Sequence, residues 1–290
     1  MSEDLTTGAP TAGALTTGTL LGAGTAGLAG RCQQPQLDAE LLLAYVLASP
    51  RVRLRSHPEL PRTGAERDRY LQLIARRAAG EPLAYLTRQR EFWSLTLEID
   101  ASVLVPRPET ELLVERALAL GPKSEAVVAD LGTGCGAIAL ALAAERPAWR
   151  VLATDVAADA LALARRNAAR LGLKVEFLAG SWLAPLAGRR FHLLLSNPPY
   201  IASAEPELAT PPLCFEPRAA LSPGEDGVAA LREIVRGAPS HLERGGWLLL
   251  EHGATQAQAV ARELVVRGFG HVRSHRDLAG HERMTEGRWG

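Results

Sequence analysis

Net charge is what this 290-residue chain most plainly lacks: thirty-two Lys and Arg offset thirty-two Asp and Glu. No global positive field exists to gather nucleic acid or an anionic membrane, which leaves only a local basic face open. Cysteine is sparse as well. Cys32, Cys135 and Cys214 stand at spacings that match neither a disulfide framework nor a zinc site, so no metal is expected and a reducing cytoplasm suits the chain. Charge is missing altogether from residues 5–30, which raises the question of a signal peptide or membrane span. Twenty of those twenty-six residues are Gly, Ala or Thr, and Glu3 and Asp4 open the chain acidically, so neither is expected. The seven glycines argue against a stable helix there. A flexible lead-in over residues 1–36 is the expectation, with a degenerate first helix as the alternative.

What is present is an ordinary globular balance, 47% hydrophobic and 22% charged, at a length that predicts two domains. Asp38 can cap a helix through Leu41, Leu42, Tyr45 and Val46. Thr63 and Glu66 form a capping box for a second helix, which Gly80 and Pro82 stop. Residues 37–88 thus read as a small helical domain. The runs Phe92–Leu97 and Val103–Val105, separated by Asp100-Ala101-Ser102, read as a hairpin linker over 89–106. From 107 to 290 apolar runs alternate with amphipathic helices, the pattern of an α/β domain with a parallel sheet. Strands are expected at 126–131, 150–155, 174–179, 190–196 and 246–251, with helices over 158–171, 227–237 and 255–267.

Two loops carry the chemistry. The first strand runs through Asp130 into Gly132-Thr133-Gly134-Cys135-Gly136, where glycines allow close backbone approach to a ligand. Read as Gly132-x-Gly134-x-x-Ala137, the loop also fits a dinucleotide fingerprint, and Asp155 could bond a ribose in either case. Asp130, directly before the glycines, would repel a pyrophosphate but attract an ammonium group. S-adenosylmethionine, with an amino acid moiety, a sulfonium and no phosphate, fits that loop. The fourth strand ends in Asn197-Pro198-Pro199-Tyr200. The prolines remove two N–H donors, so the Asn197 oxygen and the Pro198 carbonyl can hold both hydrogens of a planar NH₂ group while Tyr200 offers a ring face. That group is an exocyclic base amine or a carboxamide.

On these residues the chain resembles the class I methyltransferases and, more closely, the PrmC/HemK family of protein glutamine methyltransferases that act on class I peptide chain release factors. The resemblance extends to Glu81–Leu86, Arg90–Trp93, Pro106-Arg107-Pro108-Glu109-Thr110-Glu111 and Glu216–Leu221. It implies a Rossmann-like, mostly parallel, seven-stranded sheet beside a small N-terminal helical domain. It further implies that Gly132 to Gly136 and Asp130 hold the methionine part of the donor, that Asp155 binds the ribose, and that Trp182 lines the adenine side. Asn197 to Tyr200 would bind the substrate glutamine of a Gly-Gly-Gln loop, with Asn197 and Pro198 catalytic. Arg107 and Glu109 would support the active site or start a helix. Arg88 departs from the family, which usually has glycine there.

A carboxamide nitrogen is a poor nucleophile, so orientation should matter more than a base, and none of the seven histidines is expected to be one. His252, the most tempting, is read as a structural hydrogen-bonding residue. Two other readings compete: an adenine nucleic-acid methyltransferase, disfavoured by the neutral charge, and a non-catalytic donor-binding module, disfavoured by the intact Asn-Pro-Pro-Tyr. A monomeric cytoplasmic enzyme without stable nucleic-acid or membrane binding is the expectation.

Overall fold

The computed structural model describes residues 15–290. The chain divides into two compact units, the first ending at Thr87 and the second running from Arg88 to Gly290. The first unit holds α1 (Thr17–Leu28), α2 (Pro35–Val46), α3 (Arg51–Ser56), α4 (Gly64–Ala78) and α5 (Leu83–Thr87). Residues 1–14 of the expected lead-in lie outside the described residues, but α1 corrects the rest of that expectation.

The reason is tertiary. Thr16 and Thr19 form a reciprocal capping box at the start of α1. The carbonyls of Pro58 and Leu60 accept from the amides of Gly18 and Thr17 at 2.8 and 3.0 Å, so orphan donors of the first turn are satisfied. The glycines that weaken the isolated helix are its packing surface. Gly24 faces the hydroxyl end of buried Tyr70, and a Cβ at Gly27 would lie 3.0 Å from Ile74 Cγ2. The core of this unit gathers Leu20, Leu28, Leu42, Leu43, Leu54 and Tyr70, whose hydroxyl donates to the Ala39 carbonyl at 3.2 Å.

The start of α2 also differs from expectation. Pro35 occupies the first helical position, where its missing N–H costs nothing. Asp38 therefore sits inside the first turn and pairs with Arg77 at 2.8 Å instead of capping. The box of Thr63 and Glu66 does start α4.

The second unit opens with a hairpin of β1 (Gln89–Phe92) and β2 (Leu95–Glu98). Its turn is Trp93-Ser94, both at positive φ, not the polar Asp100–Ser102 segment. Residues 103–105 are consequently not its second strand; they form an irregular segment whose Val103 and Leu104 line a cavity. Arg88, at φ +59, holds a left-handed conformation that glycine adopts freely.

After α6 (Glu111–Leu120) come β3 (Val127–Leu131), α7 (Ala137–Glu145), β4 (Arg150–Asp155), α8 (Ala158–Leu171), β5 (Glu176–Ala179) and β6 (Phe191–Ser196). The chain ends through α9 (Arg218–Leu221), α10 (Ala229–Gly237), β7 (Leu242–Glu251), α11 (Ala257–Arg267), β8 (Phe269–Arg276) and β9 (Glu282–Trp289). Seven strands form one sheet in the order β5-β4-β3-β6-β7-β9-β8. The first five are parallel, whereas β9 runs antiparallel to both β7 and β8. The strands expected from apolar runs coincide with β3 to β7. By contrast β8 and β9, rich in Arg, His and Glu, give no such run. Strand residues buried to zero exposure, among them Leu131, Leu152, Leu194 and Leu248, form the core together with α10 and α11 side chains.

The strand order reverses beside β3. The chain steps outward from β3 to β4 and β5, then returns to place β6 on the other side of β3, and ligands bind at the carboxyl edge of such a switch point. In register, Leu131 pairs with Ser196. The residues that follow them, Gly132 and Asn197, start their loops side by side.

If the glycines of α1 act as a packing surface, Gly24→Ala should destabilise the protein by about 1–3 kcal/mol in urea unfolding. Gly22→Ala, which meets no atom within 4 Å, should be neutral or stabilising by up to about 1 kcal/mol. Equal effects would remove the packing explanation.

Candidate active site

The loop after β3 is shaped by three left-handed glycines, with φ of +74, +56 and +90 at Gly132, Gly134 and Gly136. The Gly132 and Thr133 amides both donate to the Thr154 carbonyl at 2.9 Å, anchoring the loop to β4. Gly134 donates its amide to Asp155 Oδ2 at 2.9 Å, and Asp155 Oδ1 accepts from Ala157 N at 2.9 Å. A Cβ at Gly132 would stand 2.8 Å from the Trp182 ring, so glycine is what lets the indole close over the loop. Trp182 packs on the sheet core and also lines the cavity over this loop.

Asp130 is fully buried behind this loop. Its Oδ2 accepts from Thr133 Oγ1 at 2.6 Å, while Oδ1 has no hydrogen-bond partner. Burial pushes its pKa from an ordinary 3.8 up to about 7. Burial likewise pushes the Cys135 thiol up to about 12, which keeps it protonated and unreactive.

A cavity of about 200 Å³ opens over the loop. Gly132, Thr133, Gly134, Cys135, Asp155, Trp182 and Asn197, residues expected at the donor site, line it. Asp130 and Gly136 do not. Asp130 lies one layer behind, and Gly136 turns into α7, where a Cβ would meet Leu140 and Ala164 at 3.0 and 3.3 Å. A second cavity of about 60 Å³ is lined by Arg107, Pro198 and Tyr200. Leu104, Asn197, Pro199 and Ala220 belong to both walls, so the two spaces adjoin.

Three side chains that sequence reasoning passed over organise this junction. Asn197 Nδ2 donates to Thr110 Oγ1 at 3.1 Å, which turns the Asn197 oxygen away from Thr110. Tyr200 Oη donates to Glu251 Oε1 at 3.4 Å. Glu216, whose side chain is wholly buried, accepts from the Val105 amide at 3.2 Å and from Arg107 Nη2 at 2.6 Å. It thereby ties the segment before Arg107 to the segment before α9, and burial raises its pKa against the opposing pull of Arg107. Thr110 and Glu216 sit inside motifs visible in the sequence, but nothing local marks them as buried hydrogen-bonding partners. Glu251 ends an apolar strand at the ligand edge, a signal overshadowed by its neighbour His252.

Arg107 thus reaches the smaller cavity, whereas Glu109 lines neither and bears on the site only through its charge near Glu251. His252 is fully buried with both ring nitrogens engaged, Nε2 with Thr285 Oγ1 at 2.8 Å and Nδ1 with the Gly253 carbonyl at 3.0 Å. Burial lowers its pKa, and it lines neither cavity.

Comparison with known proteins agrees with this layout. The PrmC N-terminal domain family matches residues 19–87, and the methyltransferase small domain family matches 108–225. The release factor glutamine methyltransferase of Pseudomonas aeruginosa is 51% identical over 257 residues, covering 88% of this chain and 92% of that protein. The chain belongs to the release factor glutamine methyltransferase family. The Burkholderia pseudomallei member is similar at 51% identity over 87% of this chain and 91% of its own. A solved methyltransferase from Pyrococcus furiosus, 20% identical with a TM-score of 0.52 over 79% of this chain and all of its own, shares the fold. The group this family implies is S-adenosylmethionine, and the donor set fits it: a buried carboxylate oxygen without a partner, an apolar cavity and a loop with no phosphate-binding cation.

In this methyltransferase, Asp130 links site and stability. Between its unfolded and folded pKa the native state holds the extra proton, so this group's contribution falls as pH rises from about 4 to 7. Relative to Asp130→Asn, the donor-free wild type should lose stability on the order of 1 to 4 kcal/mol between pH 5 and pH 8. Parallel urea-unfolding curves at the two pH values would refute it.

Proposed function

We propose that the protein methylates the side-chain amide nitrogen, N5, of the glutamine in the Gly-Gly-Gln loop of class I peptide chain release factors, with S-adenosylmethionine as donor. The observation that carries this reading is the shared wall: Asn197 and Pro199 belong both to the larger cavity over the glycine loop and to the smaller one beside Tyr200. A donor methyl in one space and an acceptor nitrogen in the other would meet there.

The larger cavity takes the donor. Asp155 would hold the ribose and Trp182 would cover the adenine, while Asp130, one layer behind the glycine loop, would act on the ammonium end through its charge. The donor, when bound, supplies a methyl carbon made electrophilic by its sulfonium. The smaller cavity takes the glutamine amide, whose two N–H groups are held by Asn197 Oδ1 and the Pro198 carbonyl, while Tyr200 stacks on its plane. Both acceptors draw density onto nitrogen, and placing it in line with the methyl carbon supplies catalysis by orientation, worth up to about 7–11 kcal/mol in favourable systems. Nitrogen forms the new bond to carbon as the carbon–sulfur electron pair leaves with sulfur. The methylated amide then loses its proton to water, so no base is required. The helical unit provides a second contact surface for the release factor, and the enzyme works as a monomer in the cytoplasm, where three free cysteines are stable.

Labelled methyl from S-adenosylmethionine should appear on a purified class I release factor and not on its Gln→Ala variant in the Gly-Gly-Gln loop. Duplex DNA should stay unlabelled. Asn197→Ala should lower kcat/KM by about 10² or more. Near-normal turnover in that variant would overturn the acceptor assignment, and label on DNA would move the substrate class to nucleic acid.

A further inference from the structure

Glu251 is 2% exposed at the end of β7, where Leu250 pairs with Ser196 and so sets the carboxyl level with Asn197. No arginine, lysine or histidine forms an ion pair with it among the described residues, and Oε2 has no hydrogen-bond partner. A buried carboxyl left this way is costly, so packing alone gives no reason for it. Two hydroxyls lie around the carboxyl, and it also feels the charges of Glu109 and Arg283. Tyr200 Oη donates to Oε1, and the Thr110 hydroxyl lies beside the carboxyl and favours its charged form. Thr110 Oγ1 already accepts from Asn197 Nδ2. A hydroxyl has a single proton, and the carboxyl is the acceptor it faces.

We infer that Glu251 is a positioning residue for methyl transfer, acting through Thr110 to fix which end of the Asn197 amide faces the acceptor cavity. The inference rests on the proposed reading that Asn197 holds the substrate amide. The two ends of an asparagine amide are nearly identical in shape, so only hydrogen bonding distinguishes them. Above about pH 7 the carboxyl is mostly in the charged form that Thr110 and Tyr200 favour, and a carboxylate can only accept. It accepts a hydrogen bond from the Thr110 hydroxyl, Thr110 presents lone pairs to Asn197, and Nδ2 turns to Thr110 with Oδ1 toward the cavity. The opposite orientation would aim two N–H donors at a substrate amide that itself offers N–H donors. The same carboxylate holds the Tyr200 hydroxyl, so one buried group sets both polar contacts of the acceptor pocket.

The test uses the full chain, a purified class I release factor and labelled S-adenosylmethionine at pH 8, where Glu251 is mostly charged, with Asn197→Ala as reference. Glu251→Gln can donate as well as accept, so it scrambles the relay while keeping the shape. It should lower kcat by about 10- to 100-fold, as small misplacements do, while the Kd for the donor stays within about twofold of wild type, the range expected of a donor site left intact. Thr110→Val should cause the same loss, and Thr110→Ser should restore most of the turnover. Combined, Glu251→Gln and Thr110→Val should cost no more than either alone, because the relay acts as a unit. Wild-type kcat in Glu251→Gln and Thr110→Val, with Asn197→Ala inactive, would overturn this inference and leave the acceptor assignment standing. Multiplying losses in the double variant would also overturn it. An active Asn197→Ala would instead remove the reading on which it rests. Should Glu251→Gln fail to fold, the contrast between Thr110→Val and Thr110→Ser decides.

Discussion

The parallel pairing of β3 with β6 is the constraint on which the site depends. Leu131 stands opposite Ser196, and one residue further on both strands the chain leaves the sheet on adjacent paths. A ladder fixes these positions to within a fraction of a residue, because a slip of one would turn every buried side chain to the other face. The two loops therefore start side by side through backbone hydrogen bonds, before any side chain is considered. Ser196 adds a further tie, its hydroxyl donating to the Leu131 carbonyl at 2.6 Å.

Around this junction the protein buries carboxyl groups without giving each a cation. Asp130 and Glu251 are both pushed up to about 7 by burial, and each keeps one oxygen without a partner. Glu216, by contrast, has Arg107 and a backbone amide. The pattern separates two uses of buried charge. Glu216 clamps chain segments together, whereas Asp130 and Glu251 sit where desolvation is only partly compensated within the protein. Uncompensated polar groups cluster at sites where a bound molecule completes the hydrogen bonding, in keeping with the proposed donor and acceptor positions.

The helical unit illustrates a different balance. Glycine costs about 1 kcal/mol per residue relative to alanine within a helix, yet α1 carries Gly18, Gly22, Gly24 and Gly27. Close approach to Pro58, Tyr70 and Ile74 offsets that cost for three of them. Helix formation here is a property of the packed unit, not of the segment.

Much of this was legible in the chain itself. Apolar runs located β3 to β7, the box of Thr63 and Glu66 located α4, and the Gly132–Gly136 and Asn197–Tyr200 segments pointed to the adjoining cavities, because periodicity, capping and turn chemistry are local. Strands β8 and β9 escaped the same reading since β8 is largely exposed and charged, whereas β9 buries polar Thr285 and Glu286 at its centre. The hairpin turn was misplaced because Trp93 and Ser94, residues that seldom adopt positive φ, occupy it. Helix α1 was only the alternative reading because its stabilising partners lie some forty residues away. Thr110, Glu216 and Glu251 could not be singled out, for a buried hydrogen-bond partner is defined by what surrounds it. The sequence by itself determined which segments become strands, helices and ligand loops. Only the tertiary structure decided which of them meet, because the order of strands in a sheet and the burial of a polar group depend on contacts between residues far apart in the chain.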